Sequence, residues 1–161
     1  MRRTVSSRWG IAALLGLGLT VWLPGAPTSA DVAIVVNPRV PITDLSFTEL
    51  RRILLGERQF WSSSLRISLL MRAPVARERE VLLNTVYEMS EAQVRQYWIS
   101  KVFRAEAASA PPLFYSDEEI LQALASVPGS IAAVEVSRIP KSLRVVRIDG
   151  HLPGEAGYRL R

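Results

Sequence analysis

Val32 to Val36 (VAIVV) is an unbroken run of apolar, mostly β-branched residues, and it restricts the fold of this chain more than any other stretch. A strand with no polar face must be covered on both sides, so it belongs in a sheet buried between other layers. Asn37-Pro38 ends the run, since proline has no N–H to give to a ladder. Three further apolar stretches read as strands: Leu65 to Met71 (LRISLLM), Ser130 to Val136 (SIAAVEV) and Leu143 to Ile148 (LRVVRI).

Helices fill the spaces between them, and three carry the same start signal. Ser46-Phe47-Thr48-Glu49, Ser90-Glu91-Ala92-Gln93 and Ser116-Asp117-Glu118-Glu119 are capping boxes. In each, a hydroxyl and an acid or amide three residues on satisfy one another's exposed backbone N–H groups. The first helix carries Phe47, Leu50 and Leu54 on one stripe and has Gly56 for a left-handed end. A second is expected over Val75–Tyr87, dense in charge at Arg77, Glu78, Arg79 and Glu80. The third places Val94, Tyr97, Trp98 and Val102 at helical spacing, and the fourth carries Ile120, Leu121 and Leu124. The order β-α-β-α-α-α-β-β predicts an α/β fold in three layers, a mixed and mostly buried sheet flanked by helices. One domain is expected over residues 31–149, with a Gly-rich, loosely ordered tail over 150–161.

The first thirty residues have a different character. Met1 to Trp9 is short and basic, Gly10 to Leu23 (GIAALLGLGLTVWL) is apolar, and Pro24-Gly25 stop that run short of the roughly 20 residues a spanning helix needs. Small residues at Ala26 to Ala30 then suit a signal peptidase, with cleavage after Ala30. Residues 1–30 therefore read as a signal peptide and the mature protein as periplasmic. Two alternatives are an uncleaved N-terminal anchor and a twin-arginine signal at Arg2-Arg3, which Thr4-Val5-Ser6 continue poorly.

Charge and chemistry-bearing residues exclude several classes of function. The chain holds 20 Lys+Arg and 15 Asp+Glu, a net +5, but Arg2, Arg3 and Arg8 supply +3 of that. A nucleic-acid module concentrates its positive charge, and from residue 31 on no such block exists. With no cysteine there is no disulfide, thiolate metal site or cysteine nucleophile, and the single His151 falls in the tail. Ser130 follows Gly129 without a nucleophile-elbow pattern, and Glu118-Glu119 are explained by helix-start electrostatics. No catalytic residue, metal ligand or cofactor is expected, and the protein reads as a non-enzyme.

Four stretches carry a resemblance. Val35-Val36-Asn37-Pro38 is followed by Leu45-Ser46-Phe47-Thr48-Glu49-Leu50; Leu55-Gly56 leads to Trp61; Gln93-Val94-Arg95-Gln96-Tyr97-Trp98 leads to Phe103 and Pro111-Pro112; and Val127-Pro128-Gly129-Ser130-Ile131-Ala132 forms a turn and strand. In this order the set resembles short exported proteins related to the phosphate-binding component of phosphate ABC transporters, within the type 2 periplasmic-binding-protein superfamily. The resemblance implies a single lobe of a two-lobed solute-binding protein, working in transport, with phosphate or another small oxyanion as partner. It also implies a phosphate-gripping arginine followed by Ser-Gly-Thr. Arg72 matches that arginine, but Ala73-Pro74-Val75-Ala76 stands where the hydroxyl residues belong.

Arg72 and Arg77 are the candidate ligand-binding residues, because they flank a helix start where dipole and free N–H groups favour an anion. The competing reading makes Arg77, Glu78, Arg79 and Glu80 a solvated, self-paired helix face. Trp98 is expected in the core, and Trp61, beside Ser62-Ser63-Ser64, is either a contact residue or a lid on the core. A second function follows from the missing half and the missing hydroxyls: a periplasmic or membrane protein partner, or a second copy in a homodimer, bound by a lobe that has lost its anion site.

Overall fold

The computed structural model describes residues 31–161; the expected signal peptide, residues 1–30, lies outside the described residues. In chain order the elements are β1 (Val32–Val36), β2 (Asp44–Leu45), α1 (Phe47–Leu54), β3 (Ser68–Leu69), β4 (Met71–Arg72), α2 (Arg77–Leu82), α3 (Glu91–Phe103), β5 (Leu113–Phe114), α4 (Asp117–Ser126), β6 (Ser130–Glu135) and β7 (Arg144–Ile148). The main sheet has the order β2-β7-β1-β6-β3, and β4 pairs with β5 in a second, two-stranded sheet. β1 runs antiparallel to both neighbours, with Ile34 opposite Ala133 and Val146, while β2 joins β7 and β3 joins β6 in parallel.

The expected three layers are present. Every residue of β1 is fully buried, and its side chains alternate between two cores as strand geometry requires. Val32, Ile34 and Val36 pack with α1, α2 and α3 through Leu50, Leu54, Leu82, Val94 and Trp98. Ala33 and Val35 face the opposite way, onto Ile120 and Leu124 of α4 and Leu143. All three capping boxes form, at Ser46, Ser90 and Ser116. Asn37 at the end of β1 is buried because its amide donates to Leu124 O (2.8 Å) and Ala125 O (3.1 Å), satisfying carbonyls at the C-terminal end of α4. Tyr87 and Tyr97 do the same for α1, donating at 2.8 Å each to Leu54 O and Leu55 O.

Three expectations are corrected. The stretch Leu65–Met71 is not one strand. It is shared between two sheets, β3 pairing with β6 and β4 with β5, and β5 and β2 are two-residue strands too short to show a period. The helix expected over Val75–Tyr87 starts at Arg77, after Val75 has adopted a left-handed φ of 70°, and its last turn, Leu83–Tyr87, is π-helical and ends at left-handed Glu88. The tail is not loose. Leu160 is fully buried and accepts from Val32 N–H (3.1 Å), and the Tyr158 hydroxyl donates to Val32 O (2.7 Å). These contacts make residues 150–161 part of the domain, strapped along the first residue of β1.

Candidate ligand-binding site at the carboxyl ends of the strands

β3 and β6 are parallel, β4 continues from β3, and β5 is parallel to β4. Their carboxyl ends therefore share one edge of the molecule, where open α/β sheets place their ligands. Arg72, the end of β4, lies there with its side chain 13% exposed. Its Nη2 is 3.2 Å from Asp117 Oδ1 at the start of α4, and Nη1 donates to Phe114 O at 3.4 Å. Its Nε is buried without a hydrogen-bond partner. Arg138 reaches the other oxygen of Asp117, at 3.7 Å, so two guanidinium groups converge on one carboxylate.

Arg77, the other residue singled out from sequence, opens α2 on an exposed position. Its two successors are not solvated. Glu78 and Arg79 are buried, which overturns the reading of this turn as a self-paired surface face. Arg79 donates to both oxygens of Glu91 (2.7 and 2.6 Å) and to Arg72 O (3.0 Å), tying α3 to α2 and to the strand that carries Arg72. Counting back from Val86 and Leu82 in helical steps reaches Arg79 and Glu78; that stripe was the available sign of their burial. Asp117 was visible only as a helix-start acid, and Arg138 had no sequence signal.

The bidentate hydrogen bonds from Arg79 hold the Glu91 carboxyl below the ordinary glutamate range, against the opposing effect of burial. A lowered folded-state pKa stabilises the protein above the unfolded value of about 4.3, and that stabilisation is lost as pH falls through the folded value. Arg79→Ala is expected to cost about 2–3 kcal/mol, less than a fully buried pair because Glu91 keeps access to water. Urea titrations between acid and neutral pH would show a lower midpoint at pH 7 and a flatter loss of stability toward acid.

Trp61, left open between two roles, closes the core: it is buried and its indole N–H donates to Gly129 O at 2.8 Å. Trp98 is buried as expected, but Phe103 at the end of the same helix is 89% exposed. With Ile99, Val102 and Leu113 it rims an apolar groove of about 530 Å³ whose polar edge is Arg79, Glu91 and Arg95.

The chain matches no protein-family model, and no curated protein is similar to it. Solved structures are. A phosphate ABC transporter substrate-binding protein of Clostridium perfringens with bound phosphate superposes over 76% of this chain and 46% of its own, at 15% identity and a TM-score of 0.61. An ABC-type phosphate transport receptor of Vibrio cholerae does so over 76% and 48% (14%, TM-score 0.59), and PstS of Borrelia burgdorferi over 76% and 49% (17%, TM-score 0.60). The fold is that of one substrate-binding-protein lobe. The lobe spans about half the length of these proteins. Its architecture agrees with the lobe that the motifs from Val35 to Ala132 implied.

Proposed function

We propose that this lobe is an exported, non-catalytic solute-binding domain of a transport system, and that it takes phosphate or another small oxyanion at the Arg72 end. One observation carries the reading: Arg72, with a buried and unpartnered Nε, and Arg138 converge on Asp117 at the carboxyl ends of the strands. Two guanidinium groups suit a doubly charged oxyanion better than a single carboxylate. Without the hydroxyl residues at Ala73-Pro74-Val75-Ala76, the anion is held by charge and has Asp117 as its internal competitor. The phosphate-transport neighbours support the ligand class, and the pattern of residues 1–30 supports export to the periplasm.

Thermal unfolding against phosphate, sulfate and related oxyanions, at constant ionic strength, tests this. A ligand at a hundredfold excess over its Kd stabilises the folded state by about 2.7 kcal/mol. A selective rise in Tm is expected for one anion. Arg72→Ala should remove it, and Asp117→Asn should enlarge it, since the competing charge is gone while the helix cap at Ser116 stays. A flat panel for both the wild type and Asp117→Asn would reject the oxyanion.

A second reading rests on a separate observation. Arg72 is already paired with Asp117, and an apolar groove lies open beside the exposed Ile99, Val102 and Phe103. In that reading the lobe binds a protein partner in the periplasm or at the membrane, or a second copy of itself. Light scattering across a concentration series and with Phe103→Ser decides the homodimer.

A further inference from the structure

The segment that crosses from β3 to β4 leaves part of its backbone unpaired. Ser68 and Leu70 face β6, their N–H groups donating to Gly129 O (3.0 Å) and Ile131 O (2.9 Å). The intervening residues face the other way, as alternation in a strand requires. Ile67 N–H is held by Gln59 O (2.9 Å) and Met71 N–H by Pro112 O (3.2 Å). Between them, no described hydrogen bond uses the N–H or C=O of Leu69.

That gap opens on a cavity of about 500 Å³, within the range of small-ligand sites. The sheet edge Ile67–Leu70 and the small-residue stretch Ala107–Ala110 both line it, with Trp98 and Phe114 among its apolar walls. No acidic residue lines it, whereas Arg58 and Arg66 do. Arg58 is engaged by Glu49 (3.4 Å) and Phe60 O (3.2 Å). Arg66 is exposed and takes part in none of the described ion pairs or side-chain hydrogen bonds. The cavity thus combines an open main-chain donor and acceptor, apolar walls and an uncommitted cation at the Ile67 end.

We propose that this cavity binds a short free peptide in extended conformation, antiparallel to Ile67–Leu70, with its C-terminal carboxylate at Arg66. In an antiparallel pair one residue exchanges both main-chain hydrogen bonds with the residue opposite, and Leu69 offers both. Gln59 O on Ile67 N–H and the Phe60–Arg66 bridge bound the gap at one end and the β4–β5 ladder bounds it at the other, and the antiparallel direction is the one that sets the carboxylate at the Arg66 end. At about 3.3 Å per residue, the open span from Ile67 to Met71 takes about three residues. Main-chain pairing supplies affinity and the apolar walls select side chains, as in other cases of strand addition. The site shares no residue with the Arg72–Asp117–Arg138 cluster and stands or falls independently of the oxyanion reading.

The probe is the tripeptide alanyl-valyl-alanine, as the free acid and as the C-terminal amide, added to the full chain up to about 10 mM, well above the millimolar Kd expected of a few polar contacts. Amide hydrogen exchange at Leu69 should slow about tenfold with the acid. The amide form should bind about fivefold more weakly, and Arg66→Ala should weaken the acid form by the same factor and leave the amide form unchanged. Unchanged exchange at Leu69, or equal binding of acid and amide, would overturn the proposal. Protection of Leu69 without peptide, growing with protein concentration, would assign the edge to a second copy and overturn it equally.

Discussion

Removal of Tyr158–Arg161 is expected to leave the domain largely unfolded in buffer. Tyr158 and Leu160 each bury a large side chain against the α1–α3 face of the sheet, at roughly 2 kcal/mol apiece. Their hydrogen bonds with Val32, Tyr158 Oη to Val32 O and Val32 N–H to Leu160 O, add about 1 kcal/mol each. The sum, about 6 kcal/mol, is comparable with the whole stability of an ordinary domain, about 5–15 kcal/mol. Circular dichroism and urea titration of the truncated chain would measure it. Deleting Arg161 alone should change little, and Leu160→Ala should cost about 3 kcal/mol. A truncated protein with wild-type midpoint would mean that the strap contributes nothing.

The same strap gives the protein an alkaline limit. Burial, and then the charge of Asp31, push the Tyr158 hydroxyl well above the ordinary phenol range, and burial does the same to Tyr87. A raised folded-state pKa leaves stability intact below the unfolded value of about 10 and erodes it as pH climbs above that. Tyr158→Phe should soften this alkaline loss while giving up one hydrogen bond at neutral pH.

Gly129→Ala is the second large effect. Gly129 sits at φ 76° in the turn between α4 and β6, and a Cβ there would run into the carbonyl oxygen of Arg66. The obstacle is backbone, so no rotamer change relieves it. The Gly129 carbonyl also accepts from Ser68 N–H (3.0 Å) and from the Trp61 indole (2.8 Å), so any shift of the turn loosens β3 and the core lid together. A left-handed φ and a steric collision together should cost more than about 3 kcal/mol, a fall in Tm of roughly 10 °C for a chain of this size. Trp61 fluorescence should shift to the red as its indole loses its acceptor. At Gly56, also left-handed, the added Cβ would meet the Trp98 ring at 2.8 Å, a side chain that can move, and Gly56→Ala should be milder.

How much of this protein was legible before its structure follows from the range of the interactions involved. The burial of β1 on both faces, the capping boxes at Ser46, Ser90 and Ser116, and the core position of Trp98 are written in residues a few positions apart. Hydroxyl caps and side-chain periodicity are local physics, so the sequence by itself determined a buried sheet between helices and where most of those helices start. The site was less legible. Arg72 was found from its match to the family's phosphate-gripping arginine and its place beside a helix start, but its partners Asp117 and Arg138 lie far along the chain.

Only the tertiary structure decided the rest. It divided Leu65–Arg72 between two sheets, drew two-residue strands at Asp44 and Leu113 into pairing, buried Arg79 on Glu91 and strapped Tyr158 and Leu160 along Val32. Each of these depends on which distant backbone or charge lies opposite. A two-residue strand has no period to read, a buried arginine has the same composition as a solvated one, and a tail with glycines resembles disorder until a hydrophobic face receives it. Local chemistry settled which elements form, and long-range pairing settled which of them meet, because partner identity is a property of the assembled sheet rather than of any one segment.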